Sequence, residues 1–97
     1  MDKRKMTPTK EIELYANKEM NRMQEVMKSL KIISDDKNAR HFFDFSKNYY
    51  NDGIHFFKEK KFIESFEAFI ISWSYIDAGL KLGFFSVPKE QEKWFTC

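Results

Sequence analysis

The chain has 97 residues, enough for one domain with a single core. Its 3 Gly and 2 Pro are too few for a turn-rich β-sandwich or a dinucleotide-binding α/β unit. Net charge is +2, with acids and bases nearly balanced in both halves, which argues against a nucleic-acid binder that works by phosphate neutralisation.

Hydrophobic residues at 42% beside 33% charged residues suit helices with one buried stripe and a solvated back. No apolar run approaches the roughly 20 residues that a membrane span needs. The opening MDKRKMTPTK is basic but no apolar stretch follows it, so export is not expected. Cys97 is the one cysteine, which excludes an internal disulfide and a Cys-based metal cluster. These features together point to the cytoplasm. Aromatics are unevenly spread: of the 17, only Tyr15 precedes residue 38, so the core is weighted towards the C-terminal two thirds.

Residues 1–6 read as a frayed polar start, with Lys3, Arg4 and Lys5 in solvent. Thr7 and Pro8 read as the cap and first residue of a helix. Ile12, Ala16, Glu19, Met23, Val26, Leu30 and Ile33 then recur in steps of four and three, which predicts a first helix over 8–33 interrupted only by Glu19. Ser34 to Asn38 is a break, and Asp35 or Asp36 can cap the next helix. The second helix is expected over 36–58. It carries Ala39, Phe42, Ser46, Tyr49, Gly53 and Phe56 on one line and Phe43, Tyr50 and Phe57 beside it, so it is expected to be the middle helix. Gly53 there suggests a close helix crossing. The short charged break Lys58 to Lys61 sends a third helix, 61–82, back antiparallel. That helix is expected to bury Phe62, Phe66, Phe69, Trp73, Ile76 and Leu80, with Ile63, Ile70 and Asp77 beside them. Gly83 suits a left-handed cap, and Pro88 stops any continuation. The tail, 86–97, holds Trp94 and Phe95, expected to dock on the bundle or into a partner.

Three runs of residues carry a resemblance. Tyr49-Tyr50-x-Asp52-Gly53-x-His55-Phe56, then Lys61-Phe62-x-x-Ser65-Phe66-Glu67-Ala68, then Ile76-Asp77-Ala78-Gly79-x-x-Leu82-Gly83-Phe84 resemble a small archaeal family, domain of unknown function family 357. The likeness covers about residues 39–87. The family pattern favours Ala where this chain has Gly53, and Tyr-Ala-x-Gly-Trp where it has Ile71 to Tyr75. The resemblance implies a three-helix bundle of archaeal, cytoplasmic origin. Some members are similar to domains appended to nucleotidyltransferase-like proteins, which implies a role beside nucleotide chemistry. It implies no activity.

Helix rise sets an approximate register: facing positions add to about 119 between helices 2 and 3, and to about 72 between helices 1 and 2. Glu19 then falls level with Gly53 and Phe66, near Asp52, His55 and Ser65. A carboxylate on a core stripe must be paired or reach water. It either snorkels or bonds to His55, Ser65 or a tyrosine hydroxyl; the sharper alternative is an acid/base or metal cluster of Glu19, Asp52 and His55. Asp77 falls opposite residue 42, which predicts an ion pair to Arg40 or His41. His41 and His55 lie about 21 Å apart along one helix and cannot share a metal; each is expected to be partly buried. Tyr49, Tyr50, Phe56 and Phe57 could stack on bases, but their helical spacing favours packing. No HExxH, phosphate loop, nucleophile elbow or Cys/His pair occurs. The spacing also argues against a helical RNase with a spaced Arg…His motif, because Arg40 directly precedes His41 and no Arg stands four to six residues before His55.

The expected architecture is therefore all-α: an antiparallel up-down-up three-helix bundle, packed with left-handed crossings, with a short C-terminal aromatic tail. No catalytic residue, cofactor or metal site is expected. The expected role is a non-enzymatic protein–protein interaction or assembly module, its partner another protein or a second copy. The surface expected to serve is the aromatic end at Phe84, Phe85, Trp94 and Phe95. The alternative is an RNA- or nucleotide-binding accessory protein acting beside a nucleotidyltransferase.

Overall fold

The computed structural model describes residues 7–95, so the expectations for residues 1–6 and for Cys97 lie outside the described residues. Three long helices, α1 (Pro8–Ser29), α2 (Lys37–Lys58) and α3 (Phe62–Lys81), run up, down and up. Two short strands, β1 (Lys31–Ile32) and β2 (Phe85–Ser86), and a single-turn helix, α4 (Lys89–Glu92), complete the chain.

The helix starts follow local chemistry. Thr7 Oγ1 accepts from the Lys10 N–H at 3.1 Å with Pro8 next in line, and Asp36 Oδ1 accepts from the Asn38 N–H at 2.8 Å. Both acceptors satisfy amide groups that a helix start leaves without an intrahelical partner.

The first helix departs from expectation at its end. It stops at Ser29 rather than at residue 33, because Leu30 turns extended and Lys31–Ile32 pairs antiparallel with Phe85–Ser86. The Ile33 N–H extends this pairing by donating to the Phe84 carbonyl at 2.8 Å. β-branched Ile32 and Ile33 favour extended backbone. A heptad stripe cannot register that preference, since it tests spacing alone. Ile33 ends up exposed.

Two helices end in the same hydrogen-bonded device. After α3, the Phe84 N–H donates to the Gly79 carbonyl at 2.8 Å and Gly83 N–H to the Leu80 carbonyl at 3.2 Å, with Gly83 at φ +78°. After α2, Lys61 N–H donates to the Phe56 carbonyl and Lys60 N–H to the Phe57 carbonyl, with Lys60 at φ +62°. This is the Schellman arrangement, and glycine fills the left-handed position only in the first case.

α3, not α2, is the central helix: α2 packs along one side of it, and α1 packs chiefly on it and less on α2. Small residues bring the α2 and α3 backbones together, and ring pairs such as Tyr50–Phe69 and Phe57–Phe62 also cross the seam. Ser65 Oγ donates to the Gly53 carbonyl at 2.7 Å, and Ser72 Oγ donates to the Ser46 carbonyl at 2.7 Å. The Ser46 hydroxyl lies 2.8 Å from Ser72 Oγ and 3.1 Å from the Ser72 carbonyl. All three serines are fully buried, and the expected register of about 119 holds to within a residue along this seam. The same register sets Ala39 against Gly79. A Cβ on Gly53 would strike the Phe69 ring, and one on Gly79 would strike the Phe85 ring.

α3 also gives Ile76 and Phe69, whose ring lies over Gly53 of α2, to a core that includes Met23 and Val26 of α1. Ile63 and Ile70, expected beside the buried stripe, are exposed instead. The sequence stripe picked out large side chains, of which Phe69 and Ile76 are fully buried; Ser65 and Ser72, which it passed over, are buried just as completely.

Two outcomes follow for stability. Lys60→Gly removes a left-handed non-glycine residue and is expected to raise the unfolding free energy by about 1 kcal/mol, read from urea melts. Gly53→Ala and Gly79→Ala gain helix propensity of about 1 kcal/mol each but overpack against rings at a cost of about 1–3 kcal/mol. Both are expected to lower the urea midpoint, Gly79→Ala also loosening the β1–β2 pair through Phe85.

Candidate functional site

Of the residues singled out from sequence, Glu19, Asp77, Trp94 and Phe95 come together. They line a cleft of about 280 Å³ between α1, α3 and the C-terminal turn, with Arg22, Ile70, Trp73 and Ser74 completing its walls.

Glu19 is the centre of this cleft. Its Oε1 accepts from the Trp73 indole Nε1–H at 2.6 Å, and its Oε2 lies 3.9 Å from an Arg22 guanidinium nitrogen. The expected donors, His55, Ser65 or a tyrosine, are not the ones used: Ser65 is committed to the Gly53 carbonyl and His55 stands at the far side of α2 beside Glu59 at 3.2 Å. The reason is register. Tyr15 packs on Phe66 and Glu19 reaches Trp73, so α1 sits about one turn further along α3 than its expected level. Indole is a donor only, and a carboxylate is the strongest acceptor it can find.

The C-terminal turn closes the cleft. α4 places Gln91 in the protein interior, where its Oε1 accepts from the Ser29 hydroxyl at 2.9 Å. Phe95 then packs edge-on against Trp73, ring centroids 4.4 Å apart, and is buried. Trp94 is half-buried, with the Arg22 guanidinium 5.9 Å above its ring. The tail thus docks on its own bundle.

The other expectations are corrected. Phe84 and Phe85 are not an exposed aromatic end; both are buried, Phe84 edge-on against Phe42 at 5.4 Å and Phe85 over Gly79. A surface built from Phe84, Phe85 and Phe95 is therefore already used inside the chain. Asp77 does not cross to Arg40 or His41: it pairs with Lys81 at 2.9 Å on its own helix, and Arg40 pairs with Asp44 at 3.3 Å on its own. A partner one turn away on one helix is in reach without crossing the bundle. Asp52, His41 and His55 are exposed on α2, so Glu19, Asp52 and His55 form no cluster. Among the described residues no group of three or more His, Cys, Asp or Glu side chains could hold a metal ion. Nor is any helix long and apolar enough to cross a membrane.

The tyrosines pack rather than wait for bases. Tyr49 stacks on Tyr75 at 6.1 Å and Tyr50 meets Phe69 at 6.2 Å. Burial pushes the Tyr50 hydroxyl above its ordinary pKa, because the phenolate would lose solvation there. Sequence reasoning missed Arg22 and gave Trp73 only a packing role. The i,i+3 spacing of Glu19 and Arg22 was a usable signal for their pairing; nothing local points to the contact of Arg22 with Trp94.

Glu19→Leu leaves the Trp73 indole without an acceptor and is expected to cost about 1–3 kcal/mol in urea unfolding. Glu19→Gln keeps an acceptor oxygen and is expected to cost less than half as much.

Comparison with known proteins gives two matches. A family described as "protein of unknown function (DUF357)" matches residues 15–85. The crystal structure of protein AF1782 from Archaeoglobus fulgidus, which carries the same family designation, is similar with a TM-score of 0.73 at 18% identity. The match covers 84% of this chain and 100% of that one, and at that identity it speaks for the fold. No curated protein matches.

Proposed function

The chain belongs to the family of proteins of unknown function DUF357, and from that premise we propose that it is a non-catalytic protein-interaction module, acting in the cytoplasm. The observation that carries this reading is the outer face of α3. Ile63 is 60% exposed, Ile70 41% and Ile71 39%, on the helix that holds the bundle together. These residues lie at i, i+7 and i+8, one face of a helix. Phe66, Glu67, Ile70 and Ile71 line a shallow hollow there, and Tyr15 of α1, half exposed, borders it through its contact with Phe66.

A central helix with an apolar outer face is one that a further helix can cover. Glu64 and Glu67 flank the face and are exposed. The occupant that fits is a helix of another protein, apolar on one side and basic at its margin. Self-association through Phe84, Phe85 and Phe95 is not part of this reading, because those rings are packed within the chain.

The test begins with co-purification from the native cell and moves to methyl NMR of the purified pair. Shifts confined to Ile63, Ile70 and Ile71 are expected, and Ile70→Lys with Ile71→Lys is expected to weaken the complex at least about tenfold while the circular dichroism melt is kept. A partner retained equally by the double variant would overturn the reading. Steep salt-dependent retention of RNA instead would favour an RNA- or nucleotide-binding accessory role beside a nucleotidyltransferase.

A further inference from the structure

We propose that the Glu19–Trp73–Trp94 cleft is a receptor for one cationic group, a guanidinium or ammonium carried by the partner segment that covers α3. The proposal rests on the interaction reading above and adds the chemistry of the anchor.

Carboxylates enter the cleft from two helices, Glu19 from α1 and Asp77 from α3, and its walls include the rings of Trp73, Trp94 and Phe95. Negative charge beside aromatic faces is what a desolvated cation requires. At about 280 Å³ the space is below the usual 300–1,000 Å³ of a ligand pocket, so it suits a side-chain head rather than a cofactor.

The chain itself already demonstrates the match. Arg22 stands at the rim with its guanidinium 5.9 Å above the Trp94 ring and 3.9 Å from Glu19 Oε2. That second distance is longer than a hydrogen bond. Glu19 is held in place through Oε1 by the Trp73 indole, which leaves Oε2 with acceptor capacity to spare. Arg22 is thus a loosely seated internal cation that an incoming one can displace. Asp77 is engaged by Lys81 on the exposed side, so it lends field more than a free oxygen.

Position links the cleft to the interaction face. Ile70 lines both the cleft and the apolar hollow on α3. A helix seated on Ile63, Ile70 and Ile71 therefore brings the next side chain at its margin to the cleft mouth. A lysine or arginine there meets Glu19 and the Trp94 face together.

The experiment uses the full chain in amide-detected NMR, titrated with N-acetyl-arginine amide and with tetramethylammonium. N-acetyl-citrulline amide, neutral and nearly the same shape, is the control. Saturable shifts of the Trp73 and Trp94 indole N–H signals are expected with both cations and not with citrulline. Glu19→Gln keeps the Trp73 acceptor but removes the charge, and it is expected to weaken binding about threefold or more. Arg22→Gln frees Oε2 and is expected to tighten binding about twofold or more. Asp77→Asn, on the exposed edge of α3, gives a second charge-removing variant should Glu19→Gln disturb the fold. Absent or non-saturable shifts, equal binding of citrulline, or an Arg22→Gln variant that binds more weakly would each overturn the proposal. A protein partner bound equally by wild type and Glu19→Gln would overturn the cleft while leaving the interaction reading intact. Saturable cation binding without any protein partner would keep the cleft as a cation site but overturn both the interaction reading and the assignment of the cation to a partner segment.

Discussion

The close approach of α2 and α3 is the constraint on which the rest of the structure depends. Gly53 meets the Phe69 ring with no room for a Cβ, and Ser46 and Ser72 exchange hydroxyl bonds across the seam, both fully buried. Helix carbonyls keep a second lone pair after their intrahelical bond, and Ser65 and Ser72 donate to that spare capacity on Gly53 and Ser46. No buried side-chain nitrogen or oxygen among the described residues is left without a partner. A bonded serine pair costs little in the interior, whereas one serine without the other would leave an orphaned hydroxyl. The seam is therefore specific to one register as well as tight.

That tightness decides where everything else goes. Beside these small residues, the large ones of α3, Ile76 and Phe69 among them, join Met23 and Val26 of α1 in the core, the Phe69 ring lying over Gly53 of α2. Gly79 at the end of the seam makes room for the Phe85 ring, which draws the chain after Gly83 back over the bundle. Phe85–Ser86 then captures Lys31–Ile32, ending α1 early. From this one sequence of contacts the tail is steered to Trp73, and the Glu19 cleft is formed at the last step. The outer face of α3 is what remains: isoleucines that no element among the described residues covers.

Much of the scaffold was legible in the residues. Thr7, Pro8 and Asp36 declare helix starts, Gly83 declares an end, and charged breaks without room for a crossover force antiparallel neighbours. The register of α2 on α3 could be reached from helix rise alone, because a short loop pins both helices at one end. The position of α1 was less legible, since its link to α2 includes an extended segment whose partner lies more than fifty residues away. A one-turn error there sent Glu19 to the wrong neighbours.

Sequence by itself determined the class, the three long helices, the caps at Thr7, Asp36 and Gly83 and the α2–α3 register, since these depend on local propensity, spacing and loop length. Only the tertiary structure decided which helix is central, why α1 stops at Ser29, and that Phe84, Phe85 and Phe95 are core. It also decided that Glu19 answers to Trp73 and Arg22. Those outcomes depend on which side chains are small enough to let two backbones meet. Patterns of large apolar residues carry no record of that.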